Sequence, residues 1–168
     1  PGVVPHSDDH CSHESKPTLA FRGVQFDLGR VIERPEVIER LLEIYASLHY
    51  NVMQLYVENA FVFPSHPSLA RPYAWTVEQT TRVVETASRL GISTIPAIQS
   101  LGHCHWVGSH PDYAELDEKH EFGEVSAVLC PSHPRTLAML EGMIRDVAPL
   151  ATSGIIHVGM DESFSIGL

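Results

Sequence analysis

An α/β fold built on parallel strands is predicted by three observations. Short apolar runs alternate with segments of helical periodicity across residues 21–158. Cap signals stand where those helical segments should open or close: Pro35, Thr76 with Gln79, Gly91 and Pro134. The apolar runs end in polar, chemically able residues and not in tight hairpin turns. A β-α-β-α-β-α-β order calls for right-handed helical crossovers between parallel strands.

Taken in order, residues 21–28 (FRGVQFDL) form an apolar-rich strand. Pro35 then fits a first helical turn, which tolerates a missing N–H. Val37, Ile38, Leu41, Leu42, Ile44, Tyr45 and Leu48 follow at helical spacing. Residues 51–57 (NVMQLYV) are a second strand. Thr76 with Gln79 three residues on is a capping box, and Gly91 closes that helix. Residues 92–98 are a third strand. Pro134 opens a helix with Leu137, Leu140, Ile144 and Val147 on one stripe, and residues 155–158 (IIHV) are a fourth strand.

Two architectures accommodate this order: an open doubly wound sheet, or part of a (β/α)₈ barrel. The phosphate-binding glycine fingerprint of the first is missing, since Leu28-Gly29-Arg30-Val31 follows the first strand. Barrel enzymes place their chemistry at the C-terminal ends of the strands. Here those ends carry Asp27, Glu58, His103, and Asp161 with Glu162. Such barrels need about 250 residues and rarely fewer than ~200, against 168 in this sequence. The expectation is an α/β TIM barrel of which only the first four βα units are present, over residues 21–168. A polar leader covers residues 1–20.

Composition removes several functional classes. With 11 Lys+Arg against 21 Asp+Glu the formal charge is −10, which disfavours a phosphate backbone as partner, so no nucleic acid is expected. No window holds 18 uninterrupted apolar residues, so no membrane span is expected. Cys11, Cys104 and Cys130 define no disulfide framework. The chain starts at Pro1 without a readable signal peptide, and a cytoplasmic location is the corresponding expectation. His6, Asp8, Asp9, His10, Cys11 and His13 are metal-ligating types within the leader. Zinc sites usually draw ligands from two anchored elements, so a polar tail is the plainer reading.

Three segments could carry chemistry. In His157-Val158-Gly159-Met160-Asp161-Glu162, an apolar strand runs into a glycine and two adjacent acids. Strand side chains alternate between faces, so both acids can address one ligand only if the chain bends, which Gly159 eases. Paired carboxylates allow one to act as an acid while the other stays ionised; two solvated loop acids are the plain alternative. In the second segment, residues 95–106, a buried strand empties into Gly102, His103, Cys104, His105 and Trp106. Histidine shuttles protons, and Trp can support a sugar ring or simply cover the sheet end. The third, Tyr56-Val57-Glu58-Asn59-Ala60-Phe61, ends the second strand in an acid. Arg22 and Asp27 lie on the first strand, where the Arg fork suits vicinal hydroxyls or an ordinary ion pair.

Together these segments resemble glycoside hydrolase family 20, the β-N-acetylhexosaminidases, and within it the hexosaminidase D-like branch. The matching pieces are Phe21-Arg22-Gly23-Val24 with Asp27, Glu58-Asn59-Ala60-Phe61, Gln99-Ser100-Leu101-Gly102-His103, Leu129-Cys130-Pro131, and residues 157–162. The resemblance implies retaining, substrate-assisted hydrolysis of terminal β-linked N-acetylglucosamine or N-acetylgalactosamine, with no metal or organic cofactor. Under it Asp161 orients the substrate's acetamido group, Glu162 is the general acid and base, and His103 with Glu58 forms a relay to that acid. Arg22 would bind sugar hydroxyls, with Asp27, Trp106 and His157 beside the substrate. The partner implied is an N-acetylhexosamine-containing glycan or glycoconjugate. The sequence departs from familiar members in having Gly29-Arg30-Val31-Ile32 after Leu28, where they carry Ser-Arg-His after the aspartate.

Two other readings stay open. A half-barrel could be a noncatalytic sugar-binding module, or form a homodimer through its exposed edges. A metal-dependent barrel hydrolase would use His103, His105, Asp161 and an N-terminal histidine.

Overall fold

Three strands pair in parallel and in one register, and this levels their C-terminal ends. In the computed structural model, which describes residues 17–167, they are β1 (Gly23–Asp27), β2 (Val52–Tyr56) and β3 (Ser93–Ala97). The sheet order is β1-β2-β3. Gly23, Val52 and Ser93 share one rung; Asp27, Tyr56 and Ala97 share the last. The loops after the three strands therefore emerge on one rim. The α/β class holds, as a three-stranded parallel sheet among the described residues. The leader's candidate ligands His6, Asp8, Asp9, His10, Cys11 and His13 lie outside those residues.

Alternation assigns the faces. Val24, Phe26, Met53, Leu55 and Thr94 point to one side, where Met53, Leu55 and Thr94 are fully buried. Gln25, Gln54 and Ile95 share a rung on the other face, and Gln25 is exposed.

The helices are α1 (Pro35–Ser47), α2 (Val77–Arg89), the single turn α3 (His105–Gly108) and α4 (Pro134–Val147). Helix α1 buries Ile38 and Leu42, and α2 buries Thr80, Val83, Val84 and Ala87. The Arg82 guanidinium of α2 reaches Glu36 at 2.6 Å and Glu39 at 3.0 Å on α1. Exposed pairs of this kind contribute about 0–1 kcal/mol, so apolar burial holds α1 against α2. Pro35 and Pro134 occupy first turns as expected. No helix among the described residues is long and apolar enough to cross a membrane.

Two expectations need correction. The stripe assigned to α4 holds in part: Val147 is buried and Leu140 and Ile144 pack against the core, but Leu137 is 69% exposed and Thr136, Met139, Gly142 and Met143 supply the rest of the buried face. Gly142 is buried because Ser65 and His66 pack against it. Residues 155–158 are not a full strand. They run parallel along the free edge of β3 with a single bridge, Ala97 to His157. The bonds are His157 N–H to Pro96 O, Ile98 N–H to His157 O, and Ser100 N–H to Gly159 O, each 2.9 Å. At the near end the Thr152 hydroxyl takes the Thr94 N–H at 2.8 Å. At the far end His157 Nδ1 accepts the Gly159 N–H at 3.2 Å. Side chains thus capture the donors that further rungs would use.

The α2 capping box forms in full. Thr76 Oγ1 accepts from Gln79 N–H at 3.2 Å, and Gln79 Oε1 accepts from Thr76 N–H at 2.9 Å. Thr76→Ala should therefore destabilise the chain by about 1 kcal/mol, lowering Tm by about 2–4 °C for a domain of this size. Thr76→Ser should retain most of that stability. A calorimetric Tm unchanged in the alanine variant would show that the cap contributes nothing to stability.

Candidate active site

The rim beyond β1, β2, β3 and the docked segment carries one connected polar chain. Arg30 Nη1 donates to Glu58 Oε1 at 3.2 Å. The Tyr56 hydroxyl donates to the same oxygen at 2.6 Å and accepts from Gln99 Nε2 at 3.0 Å. Gln99 Nε2 also reaches Asp161 Oδ1 at 3.4 Å. His103 Nε2 stands 3.3 Å from Asp161 Oδ2 and 3.2 Å from Glu162 Oε2. Tyr56, Glu58 and Gln99 are buried, whereas Asp161 and Glu162 are 61% and 60% exposed. The buried half is fixed by its hydrogen-bond partners, and the two acids are open to solvent.

Backbone strain gathers here. Glu58 (φ 39°), His103 (φ 54°) and Glu162 (φ 53°) occupy the left-handed region, which non-glycine residues rarely adopt. Gly102, before His103, touches the Asp161 backbone: a Cβ there would collide with the Asp161 carbonyl oxygen. The loop of His103 and the acid-bearing segment are thus in direct contact, and only glycine permits it.

The electrostatics distinguish the groups. Its own backbone N–H holds the Asp161 carboxyl below the ordinary 3.8, helped by the Gln99 amide and His103. Burial, then the hydrogen bond to Glu58, pushes the Tyr56 hydroxyl up, so it stays protonated as a donor. Burial pushes the Cys104 thiol up as well, which argues against a thiolate nucleophile.

An adjoining cavity of about 620 Å³ is lined by Gln25, Gln54, Tyr56, Gln99, His157 and Asp161, among others. Such a volume falls in the range of small-molecule sites, roughly 300–1,000 Å³.

Of the residues singled out from the sequence, Asp161, Glu162 and His103 come together. Glu58 reaches this group only through Tyr56 and Gln99; its direct partners are Tyr56 and Arg30, so the expected contact with His103 is not formed. Asp27 caps the rim turn, its Oδ1 accepting the Arg30 N–H at 3.0 Å. Arg22 sits at the opposite end of β1, with its guanidinium on the carbonyls of His49 and Leu19. It precedes the strand, so the pairing that levels the C-terminal ends carries it away from them. Trp106 stacks on Phe63, with centroids 6.5 Å apart and planes within 3°, and its indole N–H has no partner among the described residues. His157 borders the cavity, while His105 faces Ser109 on α3. No three His, Cys, Asp or Glu side chains among the described residues are grouped as metal ligands.

Sequence reasoning passed over Arg30, Tyr56 and Gln99 as site residues. The signal for Arg30 was present, because an aspartate ending a strand often caps the backbone two or three residues on. Arg71 further secures that turn by donating to the carbonyls of Leu28 and Gly29.

The family model described as "Glycosyl hydrolase family 20, catalytic domain" matches residues 19–165. Hexosaminidase D of Homo sapiens is 25% identical over 149 residues, covering 88% of this chain and 30% of that protein. The Vibrio furnissii beta-hexosaminidase is 24% identical, covering 91% of this chain and 30% of that protein. This chain therefore spans about a third of the length of such relatives. Among solved structures, the GH20 beta-N-acetylhexosaminidase of Streptomyces coelicolor superposes with a TM-score of 0.77 at 20% identity, over 89% of this chain and 34% of that one. The Flavobacterium johnsoniae chitobiase gives 0.74 at 25% identity, over 88% and 24%.

The Gly102 contact yields a direct test. Gly102→Ala should drive the Asp161 backbone away from His103 and abolish binding at the site, while helical content by circular dichroism is kept. A variant whose ligand affinity stays at the parent level would show that the contact does not set the acids.

Proposed function

The chain belongs to glycosyl hydrolase family 20, and from that premise we propose that it carries the acid-bearing half of a β-N-acetylhexosaminidase barrel. The substrate would be a glycan or glycoconjugate ending in β-linked N-acetylglucosamine or N-acetylgalactosamine. In this reading the three-stranded sheet and its docked edge are the first four βα units of a (β/α)₈ barrel. The observation that carries the proposal is the pair Asp161 and Glu162, each within 3.3 Å of one His103 nitrogen.

The proposed reaction follows the substrate-assisted route that the family resemblance implies. The sugar's acetamido oxygen attacks its own anomeric carbon as the bond to the glycosidic oxygen breaks. Glu162 gives its proton to that leaving oxygen. Asp161, held ionised by its backbone N–H, Gln99 and His103, accepts from the acetamido N–H and balances the positive charge developing on the ring formed. Glu162 then takes a proton from water, which opens the ring with net retention. Arg30 takes the place first given to Arg22: its side chain is 60% exposed at the rim, and Glu58 holds one guanidinium nitrogen. A fork so held suits vicinal sugar hydroxyls.

A second reading is favoured by one observation. An apolar groove of about 550 Å³ between α4 and the docked segment is lined by Leu101, Leu137, Leu140, Ile144, Val158 and Met160. It supports self-association of a noncatalytic, sugar-binding chain. Light scattering showing a dimer that binds N-acetylglucosamine without turnover would favour this reading over hydrolysis.

The enzymatic reading is tested on an aryl N-acetyl-β-glycoside. Glu162→Gln should lower turnover by about 10²–10⁴-fold, and Asp161→Asn should weaken inhibition by a thiazoline mimic of the cyclised intermediate. Parent-level turnover in the Glu162 variant would remove that residue as the acid.

A further inference from the structure

The loop carrying His103 is also gripped from a second direction, by residues that touch none of the acids. Asp117 is 3% exposed. Its carboxylate accepts from Lys119 N–H at 2.9 Å, from the Ser126 hydroxyl at 2.8 Å, and from Ala127 N–H at 3.1 Å. The Ser126 N–H is shared between its two oxygens, at 2.9 and 3.0 Å. No salt bridge to Asp117 forms among the described residues. A buried charge is costly without such a donor set, and with it becomes a rigid, directional anchor. Helix α3 closes over it: a Cβ on Gly108 would lie 2.5 Å from Asp117 Oδ2.

The anchor reaches the site through two backbone groups. Ala127 is held at φ 62°, a conformation that a non-glycine residue leaves unless something retains it. Its N–H is fixed on Asp117, and its carbonyl accepts the Cys104 N–H at 2.8 Å. Cys104 directly follows His103. On the other side, the Leu101 carbonyl accepts from Leu129 N–H at 2.9 Å. Residues 127–129 therefore strap the loop on both sides of the histidine, while Gly102 between them abuts Asp161.

We infer that Asp117 is a positioning residue for His103, acting through Ala127 and Cys104 to set the imidazole between Asp161 and Glu162. The inference rests on the assignment of those three residues as the reacting group. Without the carboxylate, Ala127 relaxes out of the left-handed region, its carbonyl leaves Cys104, and His103 loses its place.

The test uses Asp117→Asn in the full chain, a change that keeps side-chain size but turns an NH₂ group toward the backbone donors. The His103 ring nitrogens are followed by NMR through a pH titration, their signals assigned by their loss in His103→Gln. The expected result is a displaced His103 midpoint and altered Nε2 shift, with far-UV circular dichroism retained. An unchanged His103 titration, with only the Ser126 and Ala127 amides moving, overturns the inference and leaves Asp117 a loop-closing residue. In hydrolysis, kcat should fall by up to about a hundredfold with KM near the parent value, the cost of a small misplacement. That loss should vanish in a Glu162→Gln background; a loss that persists there reflects general loosening and overturns the inference. Should Asp117→Asn fail to fold, Ser126→Ala removes the hydroxyl's bonds to Asp117 and to the Val128 backbone while leaving the Asp117 bonds to the Lys119, Ser126 and Ala127 N–H groups, and should displace the His103 midpoint in the same direction by less, no displacement overturning the inference. A parent chain without hydrolysis would sink the proposed function, while the NMR comparison still decides the role of Asp117.

Discussion

The geometry of the rim depends on how residues 155–159 dock on the free edge of β3. Three backbone hydrogen bonds fix the segment in parallel register, the Gly159 N–H is taken by the His157 ring instead of a β3 carbonyl, and the pairing ends at Gly159 O. Had the strand continued, Asp161 and Glu162 would have pointed to opposite faces, as successive strand residues must. Ending it early lets the chain bend at Gly159 (φ 40°) and again at Glu162 (φ 53°). Both carboxylates can then meet one imidazole. The missing rungs and the paired acids have the same cause.

That arrangement is held against its own preferences. Left-handed backbone at a non-glycine residue costs about 1–3 kcal/mol, and three such residues lie on one rim in Glu58, His103 and Glu162. Domains of ordinary stability have only about 5–15 kcal/mol in hand, so the strain must be matched by packing nearby. The buried layer of Met53, Leu55, Val57 and Ile98 lies directly beneath, and Tyr56, Gln99 and Arg71 fasten the loops above it. His103 is further enclosed between Gly102, pressed on Asp161, and Cys104, tied to Ala127. A rigid histidine beside two exposed acids suits preorganised chemistry better than induced rearrangement.

Legibility in the sequence followed the range of the interactions concerned. The capping box at Thr76 and the prolines opening α1 and α4 were readable because each depends on residues within one turn. The strand ends that carry Asp161, Glu162 and His103 were readable too, since polar residues after apolar runs mark a rim. Arg22 and Arg30 flank the same strand, and composition alone cannot say which end faces the acids; the turn capped by Asp27 decides it. The α4 stripe held only in part because that helix touches two surfaces, the core through Met139 and Met143 and an open groove through Leu137. Residues 155–158 were readable as an extended segment beside β3, but not how short its pairing is, because the ladder is interrupted by side-chain acceptors, the Thr152 hydroxyl and the His157 ring.

Charge acts on both scales, the whole surface and the rim. A formal charge of −10 would repel a polyanionic ligand and leave a neutral one unaffected. At the rim the carboxylates are not equivalent. Glu58 is buried and held by Arg30 and Tyr56, so its charge is largely committed to the scaffold. Asp161 and Glu162 are open to solvent, and the His103 ring is the one basic side chain paired with them at close range among the described residues. A neutral sugar entering the adjoining cavity would meet an anionic end whose charge gains most when the sugar becomes cationic. Interactions that strengthen only as charge develops accelerate a reaction, whereas equal attraction to the ground state does not. The proposed hydrolysis rests on this separation of a committed acid from two available ones, which arises because Glu58 lies on the buried side of the Tyr56–Gln99 link while the two acids lie beyond it.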